Sequence, residues 1–224
     1  MTSFRTDLET VPEDERPEIG MRGYRVVDPE RSAERRAAIL HAGAKVFSEK
    51  GYERATIADI AQEMGVSKGV VYYLFRSKEE VIFEIMVDAH LEAHRRVNEV
   101  NARGGTPAVR LRGALHELIS FTLDETTKNR SMTLVMGGLG MLSVRNREQI
   151  LTLRREGQRL LTAMVEDGQC DSSFIAGEPH VLAMTVVTAA LGVSRWFRSG
   201  RAATAEQVAD QVSDQLVRSV LASP

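Results

Sequence analysis

The sequence has almost no cysteine and no long apolar run, and both scarcities limit what the protein can be. Cys170 is the only cysteine in 224 residues, so no intrachain disulfide can form and a reducing compartment is expected. No window approaches about 18 uninterrupted apolar residues, and the first residues have no apolar stretch of signal-peptide length. We therefore expect a cytoplasmic protein that does not enter a membrane.

Sequence motifs for catalysis are also missing. The chain has no G-x-S-x-G nucleophile motif, no phosphate-binding P-loop and no Gly-rich dinucleotide fingerprint after a strand. His90 and His94 are four residues apart on one face of a predicted helix, a spacing that a metal site can use. Because no third ligand is evident, we predict no metal site. Because the catalytic and cofactor-binding motifs are absent, we also predict no cofactor and no enzymatic activity.

Charge is unevenly distributed along the chain, although the net charge is only −2. Residues 1–30 contain four Arg against eight Asp and Glu, whereas residues 31–78 contain nine Lys and Arg against five Asp and Glu. A protein that neutralises phosphates needs its positive charge at the contact surface and not over the whole molecule. This distribution favours nucleic-acid binding by residues 31–78.

The segment from Thr56 to Lys78 has the most specific local pattern in the chain. Thr56 is followed three residues later by Asp59, an arrangement that caps the start of a helix. Gly65 stands where this helix should stop, and Ser67 can cap the next one. Two short helices joined by a sharp turn form a helix-turn-helix motif. The apolar stripe of the first helix consists of Ile57, Ile60, Ala61 and Met64.

Several residue types around this motif recur at fixed offsets that are familiar from one protein family. The runs A-K-V-F-S-E-K-G-Y, A-T-I-A-D-I-A and G-V-S-K-G-V-V-Y-Y-L-F-R-S-K-E-E-V, within residues 34–86, closely resemble those of the TetR family of bacterial transcriptional regulators. The resemblance implies an all-α dimer that represses promoters until a small molecule releases it. It also implies a helical C-terminal region that contains the ligand pocket and the dimer interface.

The chain divides into three regions on this interpretation. Residues 1–30 are an acidic N-terminal extension that we predict to be flexible; a docked segment 21–27, or a minor-groove arm with Arg22 and Arg25, are the alternatives. Residues 31–78 are the helix-turn-helix DNA-binding domain, with the motif at 56–75. Residues 79–224 are the helical ligand-binding and dimerisation domain. No strand pattern or repeat is present, so the predicted fold is all-α, with about nine helices.

Local signals also predict where the later helices begin. Ser77 starts the capping box S-K-E-E, Thr106 precedes a proline at the first helical position, and Thr204 starts the box T-A-E-Q. Asn146 to about Asp167 has clear amphipathic periodicity, and Pro179 to about Arg198 is almost wholly apolar. The glycine-rich segment 131–143 is predicted to be one further short helix.

The resemblance assigns DNA-contacting roles to individual residues. Lys68 has the reach and the donors to contact guanine O6 and N7, and Gly69 lets the helix approach the bases closely. Leu74 replaces a histidine that is frequent in the family, so that phosphate contact is expected to be missing or to be replaced by Arg76. The base-reading set is Ser67, Lys68, Gly69 and Val70, and the phosphate-contacting set is Thr56, Tyr72, Tyr73, Arg76 and Lys78. The alternative for the two tyrosines is that one ring packs in the core of the domain.

The resemblance places the homodimer interface in the last two helices, whose small residues permit close helix approach. The middle helices are rich in Met, whose flexible side chain adapts to varied apolar ligands, although core packing is the other reason for such residues. The segment V-S-R-W-F-R-S-G-R is similar to a family branch that answers to acyl-CoA thioesters, which implies an apolar or amphipathic, lipid-related effector. The predicted pocket residues are Phe121, Met136, Met141, Met164, Met184 and Trp196.

Three functions remain open from the sequence. The first is a ligand-responsive repressor that binds double-stranded operator DNA. The second is a constitutive DNA-binding protein without an effector, and the third is a helical carrier or enzyme with a vestigial helix-turn-helix. A cavity of several hundred cubic ångströms between the central helices would favour the first over the second. A buried polar catalytic constellation would be needed for the third.

Overall fold

The structure of the protein, a computed structural model, describes residues 29–124, 138–199 and 203–222. These residues form eight α-helices and two short 3₁₀ turns, Gly138–Met141 and Val193–Arg195, and their only β-type pairing is an isolated bridge between Phe174 and Leu221. The all-α prediction is therefore confirmed. The helices are α1 (Pro29–Lys50), α2 (Ile57–Glu63), α3 (Lys68–Leu74), α4 (Lys78–Ala102), α5 (Pro107–Leu123), α6 (Val144–Cys170), α7 (Pro179–Gly192) and α8 (Ala205–Arg218).

Two helix predictions are changed by the structure. The short helix expected at 131–143 lies largely outside the described residues, and its described part is the 3₁₀ turn at Gly138–Met141. The apolar helix expected to reach Arg198 ends at Gly192, where the 3₁₀ turn Val193–Arg195 takes over and tightens the end of the helix. The expectations for residues 1–28 lie outside the described residues.

Local capping explains where the helices of the DNA-binding domain begin and end. Thr56 and Asp59 form the complete predicted capping box at the start of α2. Gly65, with φ at +65°, reverses the chain between α2 and α3, a conformation that only glycine adopts at no steric cost. Ser67 occupies the N-cap position of α3, but its side chain makes no capping hydrogen bond. The predicted side-chain cap by Ser67 is therefore wrong.

A shared core joins the DNA-binding domain to the rest of the molecule. α1, α2 and α3 enclose Phe47, Ile60 and Phe75, and α4 adds its own buried face to the same core. α1 crosses α4 at Gly43, where an added Cβ would lie 2.8 Å from a methyl group of Val81. This close approach makes the first turns of α4 part of the DNA-binding domain, although α4 continues into the second one.

The C-terminal region is a bundle of α4 to α8 built around α5. α5 packs against α4, α6, α7 and α8, and one side of it is fully buried at Leu111, Leu115 and Ile119. α4 and α6 lie side by side, and α6 also packs along α7. Within the part of the chain that the structure describes, no helix is long and apolar enough to cross a membrane.

Candidate nucleic-acid interface and central cavity

The short helix α3 exposes Lys68, Gly69, Tyr72 and Tyr73 to solvent, while Val70 and Leu74 are half-buried. Its single buried residue is Val71, and Phe75 immediately after it is also fully buried. Tyr72 is 54% exposed and Tyr73 is 70% exposed, so the alternative in which one of these rings packs in the core is wrong. The helix is held by one narrow face, and its remaining surface is free for another molecule.

The predicted base-reading residues lie together at the start of α3. Ser67, Lys68 and Gly69 are exposed, and Val70 is half-buried. Lys68 makes no hydrogen bond or ion pair with any described residue. An added Cβ at Gly69 would meet only Ser67 Oγ, at 3.7 Å, which is ordinary van der Waals contact. Nothing in the described fold therefore requires a glycine at this position.

The hydroxyl group of Thr56 is hydrogen-bonded within the protein. Its Oγ1 accepts a hydrogen bond from the Asp59 backbone N–H at 3.2 Å and donates one to Asp59 Oδ2 at 2.8 Å. Hydrogen bonds from Lys50 and then Thr56 lower the pKa of Asp59 to about 2. The capping box is thus ionised and complete, and the Thr56 hydroxyl proton already has an acceptor.

Lys78 is also engaged with the protein. Its Nζ donates to the backbone carbonyls of Tyr52, Glu53 and Ala55 at 2.9, 3.1 and 3.3 Å. The same Nζ lies 4.4 Å from the centroid of the Tyr52 ring. An ammonium group has three N–H donors, and each of them has a carbonyl acceptor here. Lys78 therefore fastens the loop between α1 and α2 to the start of α4.

Unlike the Lys78 side chain, the Arg76 side chain is not held by hydrogen bonds to the described residues. Its side chain is exposed, and among the described residues no hydrogen bond or ion pair to its guanidinium group is found. Its backbone N–H donates to Glu80 Oε2 at 2.6 Å, so Glu80 does not close the predicted capping box on Ser77. Arg76 and Lys68 are the two exposed cations beside α3 that make no such contact in the described structure.

Arg36 on α1 fixes the end of α3 to α4, a role that the sequence analysis missed. Its Nε donates to Glu84 at 2.7 Å, and its Nη1 donates to the Leu74 carbonyl at 3.2 Å. The guanidinium carbon also lies 4.4 Å from the centroid of the Phe75 ring. No local signal reveals this arrangement, because the three partners are far from Arg36 in sequence.

A cavity of about 320 Å³ lies between α4, α5, α6 and α7. Of the six predicted pocket residues, Met184 is the only described one that lines it, and Met136 lies outside the described residues. Phe121 is buried and lines a second cavity, of about 410 Å³, beside α1 and α4, and Met164 is also buried. Met141 is in the 3₁₀ turn, and Trp196 is 59% exposed. Helical periodicity identifies buried positions, but it does not tell which of them border a void.

The polar part of this cavity comes from α4 and α6. His90, His94, Arg154 and Gln158 line one side. Burial, followed by the positive charge of Arg154 and the neighbouring His94, lowers the pKa of His90 to about 4. Burial likewise lowers the pKa values of His94 and Arg154. An added Cβ at Gly157 would lie 2.7 Å from His94 Nε2, so this glycine makes room for the imidazole ring.

A different group of side chains has metal-ligand geometry. His116 Nε2 lies 3.5 Å from Glu206 and 3.4 Å from Asp210, on the seam between α5 and α8. Asp210 is also paired with Arg112 at 3.1 Å, and a second positive charge at that distance opposes the binding of a cation. This trio does not include the histidine pair that the sequence singled out.

The outer wall of the cavity is an exposed face of α7. Val181 on this face is 58% exposed. A shallow apolar hollow extends over Val181, Met184, Thr185, Thr188 and Ala189, and it shares Met184 and Thr188 with the cavity. A partner that covered α7 would therefore also cover one side of the cavity.

Glu79 connects the DNA-binding end of α4 directly to the start of α6. Its Oε1 accepts hydrogen bonds from the Ser143 backbone N–H at 2.7 Å and from Asn146 Nδ2 at 2.9 Å. The hydrogen bond from Ser143 is the main reason why the pKa of Glu79 is lowered. Eleven residues further along each helix lie His90 and Arg154, roughly 16 Å away at 1.5 Å per residue. α4 and α6 thus run in parallel from this contact to the cavity.

Comparison with known proteins gives matches over both parts of the chain. Residues 39–85 match the family described as "Bacterial regulatory proteins, tetR family", and residues 104–220 match "Tetracyclin repressor-like, C-terminal domain". The transcriptional repressor KstR2 of Rhodococcus jostii is 28% identical over 193 residues, which are 85% of this chain and 92% of that protein.

Solved structures share the same architecture. The transcriptional regulator PfmR from Thermus thermophilus superposes with a TM-score of 0.73 and 28% identity, covering 80% of this chain and 97% of PfmR. AibR in complex with isovaleryl coenzyme A and operator DNA superposes with a TM-score of 0.74 and 21% identity, covering 83% of this chain and 97% of AibR.

Proposed function

Because this chain belongs to the TetR family of bacterial regulatory proteins, a family of DNA-binding transcriptional repressors, we propose that it is a homodimer that leaves its operator when a small amphipathic molecule enters the cavity. The exposed and uncommitted surface of α3 is the observation that carries the proposal. Lys68, Tyr72 and Tyr73 project from a helix whose only buried residue is Val71. A surface of this kind has no role in packing, so it is available to DNA.

The N-terminal turn of α3 reads the bases on this proposal. Lys68 donates to guanine O6 and N7 in the major groove, and Ser67 and Val70 contact neighbouring base edges. Gly69 supports this docking, because its open surroundings leave close approach to DNA as the reason for a glycine there.

Phosphate groups are bound by side chains beside that turn. Tyr72, Tyr73 and Arg76 are exposed and reach outward, and contacts of this type position the protein without reading sequence. Thr56 and Lys78 act indirectly, because their polar atoms already hold α2 and the loop before it in place. A direct phosphate contact by either residue would first have to break these hydrogen bonds.

The dimer forms through α7 and α8, and two-fold symmetry brings two copies of α3 to successive major grooves, roughly 34 Å apart. The exposed apolar face of α7 around Val181 supports this interface. We expect Val181→Glu to shift the protein to monomer in sedimentation and to weaken operator binding, since a charge in an apolar interface is costly to desolvate. Val109→Glu, at another exposed valine, is the matched control and should leave both properties unchanged.

The cavity communicates with DNA through α4 and α6. A molecule that spreads these helices at His90 and Arg154 strains the contact between Glu79 and Ser143, which adjoins the end of α3. A small change in the spacing of two recognition helices is enough for release, since coupling energies of about 1–3 kcal/mol are typical. A cavity of about 320 Å³ supports this effector-dependent function over constitutive DNA binding.

Lipid-derived acyl compounds are the first effectors to test, because AibR, which shares this architecture, forms a complex with isovaleryl coenzyme A and operator DNA. We propose a cytoplasmic location and no catalytic activity, in keeping with the transcriptional regulators that match this chain.

Two measurements test the proposal. Selection from random duplexes should enrich an inverted repeat whose half-sites lie about one helical turn apart, and a pool without enrichment would refute operator binding. Titration of acyl thioesters and free fatty acids with and without the selected operator should then show that DNA weakens effector binding by the same factor as effector weakens DNA binding. Equal affinities in both titrations would contradict ligand-controlled release.

A further inference from the structure

The polar side of the cavity indicates which chemical group the effector carries, an inference that rests on the proposed function for its biological meaning. An effector that was only apolar would need only an apolar cavity. Instead, His90, His94, Arg154 and Gln158 line the wall formed by α4 and α6. The remaining lining residues used in this argument are apolar: Val97, Leu118, Leu161 and Leu191.

His90 is the most informative of these polar residues. The residue is only 8% exposed, and its buried Nε2 has no hydrogen-bond partner among the residues that the structure describes. Leaving a buried polar atom unpaired is unfavourable, and a leucine at this position would fill the same space without that penalty. A ligand oxygen that accepts a hydrogen bond from this nitrogen would remove it.

Arg154 places a positive charge in the wall of the cavity. Its guanidinium group is partly withdrawn from water by burial, which lowers its pKa, and its charge reaches His90. Among the described residues, the charged or titratable side chains that line the cavity are His90 and His94 from α4 and Arg154 from α6. Glu156, also on α6, acts on His94, while α5 and α7 contribute uncharged side chains to the lining. An arginine in a low-dielectric wall binds a carboxylate more strongly than it would in water.

We propose that the cavity binds an aliphatic carboxylate. The carboxylate accepts hydrogen bonds from Arg154 and from Nε2–H of His90, and the hydrocarbon chain lies against Val97, Leu118 and Leu161. The volume of about 320 Å³ lies at the lower end of the range for small-molecule sites, so a compact chain fits. The charged group is then placed against the two helices that lead to Glu79 and Ser143.

Direct binding to the full-length protein tests the proposal. The probes are straight-chain carboxylates from butanoate to dodecanoate, the alcohols of equal length and the corresponding coenzyme A thioesters, measured by isothermal titration calorimetry. We expect at least one carboxylate to bind at least tenfold more tightly than its alcohol. A series in which no carboxylate binds, or in which alcohol or thioester binds equally or better, would overturn the proposal.

Variants assign the selectivity to residues. Arg154→Met should weaken carboxylate binding on the order of 10-fold to 100-fold, the range for charge-assisted hydrogen bonds, without changing the binding of the alcohol. Arg155→Met, at the exposed neighbour on α6, should change neither. His90→Gln keeps a donor and should retain more carboxylate affinity than His90→Leu. If Arg154→Met reduced the binding of alcohol and carboxylate equally, the arginine would have a packing role and the proposal would be wrong.

Operator binding, measured separately, distinguishes failure of this inference from failure of the proposed function. A carboxylate that binds in an Arg154-dependent manner but leaves operator affinity unchanged supports the site and contradicts release. A thioester that releases the operator while no carboxylate binds supports release and overturns the site.

Discussion

The surface of α3 and one wall of the central cavity both carry polar side chains, but those of α3 are exposed to water and those of the cavity are buried or half-buried. Lys68, Tyr72 and Tyr73 remain hydrated and make little contact with the protein. His90 is buried inside the fold, and Arg154 is partly withdrawn from water. Hydrated groups carry no desolvation penalty in the free protein, so DNA binding alone can determine which residue types occupy these positions. Buried groups must be compensated by neighbours or by a ligand.

The two regions also differ in how they are supported. α3 rests mainly on two fully buried side chains, Val71 and Phe75, whereas the polar wall of the cavity is formed by two long helices, α4 and α6. A single substitution can therefore release α3 from the core. The cavity should respond to substitutions mainly through its electrostatics.

The largest expected effect is on the support of α3. Phe75→Ala should lower the free energy of unfolding by about 3–5 kcal/mol, the usual range for removing a buried aromatic side chain. Tyr73→Ala, two residues away and largely exposed, should change it by less than about 0.5 kcal/mol while weakening DNA binding. Denaturant titration measures both. Similar losses in the two variants would show that α3 is held by more than its narrow buried face.

The second effect is on base reading. Lys68→Ala should weaken operator binding by about 1–3 kcal/mol and relax the preference at one position of each half-site. Lys45→Ala is the control, because Lys45 is paired with Glu63 at 2.5 Å and does not lie on α3. Gel-shift assays on operator variants distinguish the two. Unchanged base preference in Lys68→Ala would remove Lys68 from the base-reading set.

The third effect concerns the buried histidine. The pKa of His90 is lowered from 6.5 to about 4 in the folded protein, so between these values the unfolded chain binds a proton that the folded chain does not. Stability from this residue is present above pH 6.5 and is lost as the pH falls through that window. The expected loss between about pH 7 and 5 is about 2 kcal/mol. His90→Gln should lack this part of the pH dependence in denaturant titrations, and identical profiles would contradict the burial of a neutral imidazole.

The smallest effect distinguishes two cations that the sequence analysis assigned to the same phosphate-contacting set. Arg76→Ala should lower the slope of log affinity against log salt by about 0.9, the value for one phosphate contact. Lys78→Ala should leave that slope intact and lower the melting temperature, because Lys78 Nζ holds three backbone carbonyls. A reduced slope in Lys78→Ala would restore Lys78 as a direct phosphate contact.

Local signals predicted the beginnings of helices well. Thr56, Thr106 and Thr204 all cap the helices expected of them, since a cap depends on residues within one turn. Ser67 and Glu80 show the limit of this reasoning. Ser67 Oγ makes no cap, and Glu80 bonds to the backbone N–H of Arg76 instead of that of Ser77, because small differences in side-chain orientation decide between such neighbouring donors.

The sequence by itself determined the helical fold, the helix-turn-helix motif and the exposure of its first turn, because these depend on spacing and on residue type within a few positions. Only the tertiary structure decided that Lys78 faces three carbonyls, that Phe121 and Met184 border different cavities, and that His90 and Arg154 line the same one. Those outcomes depend on which helices lie side by side. Helical periodicity gives the buried face of each helix, but not the neighbour or the void that this face meets.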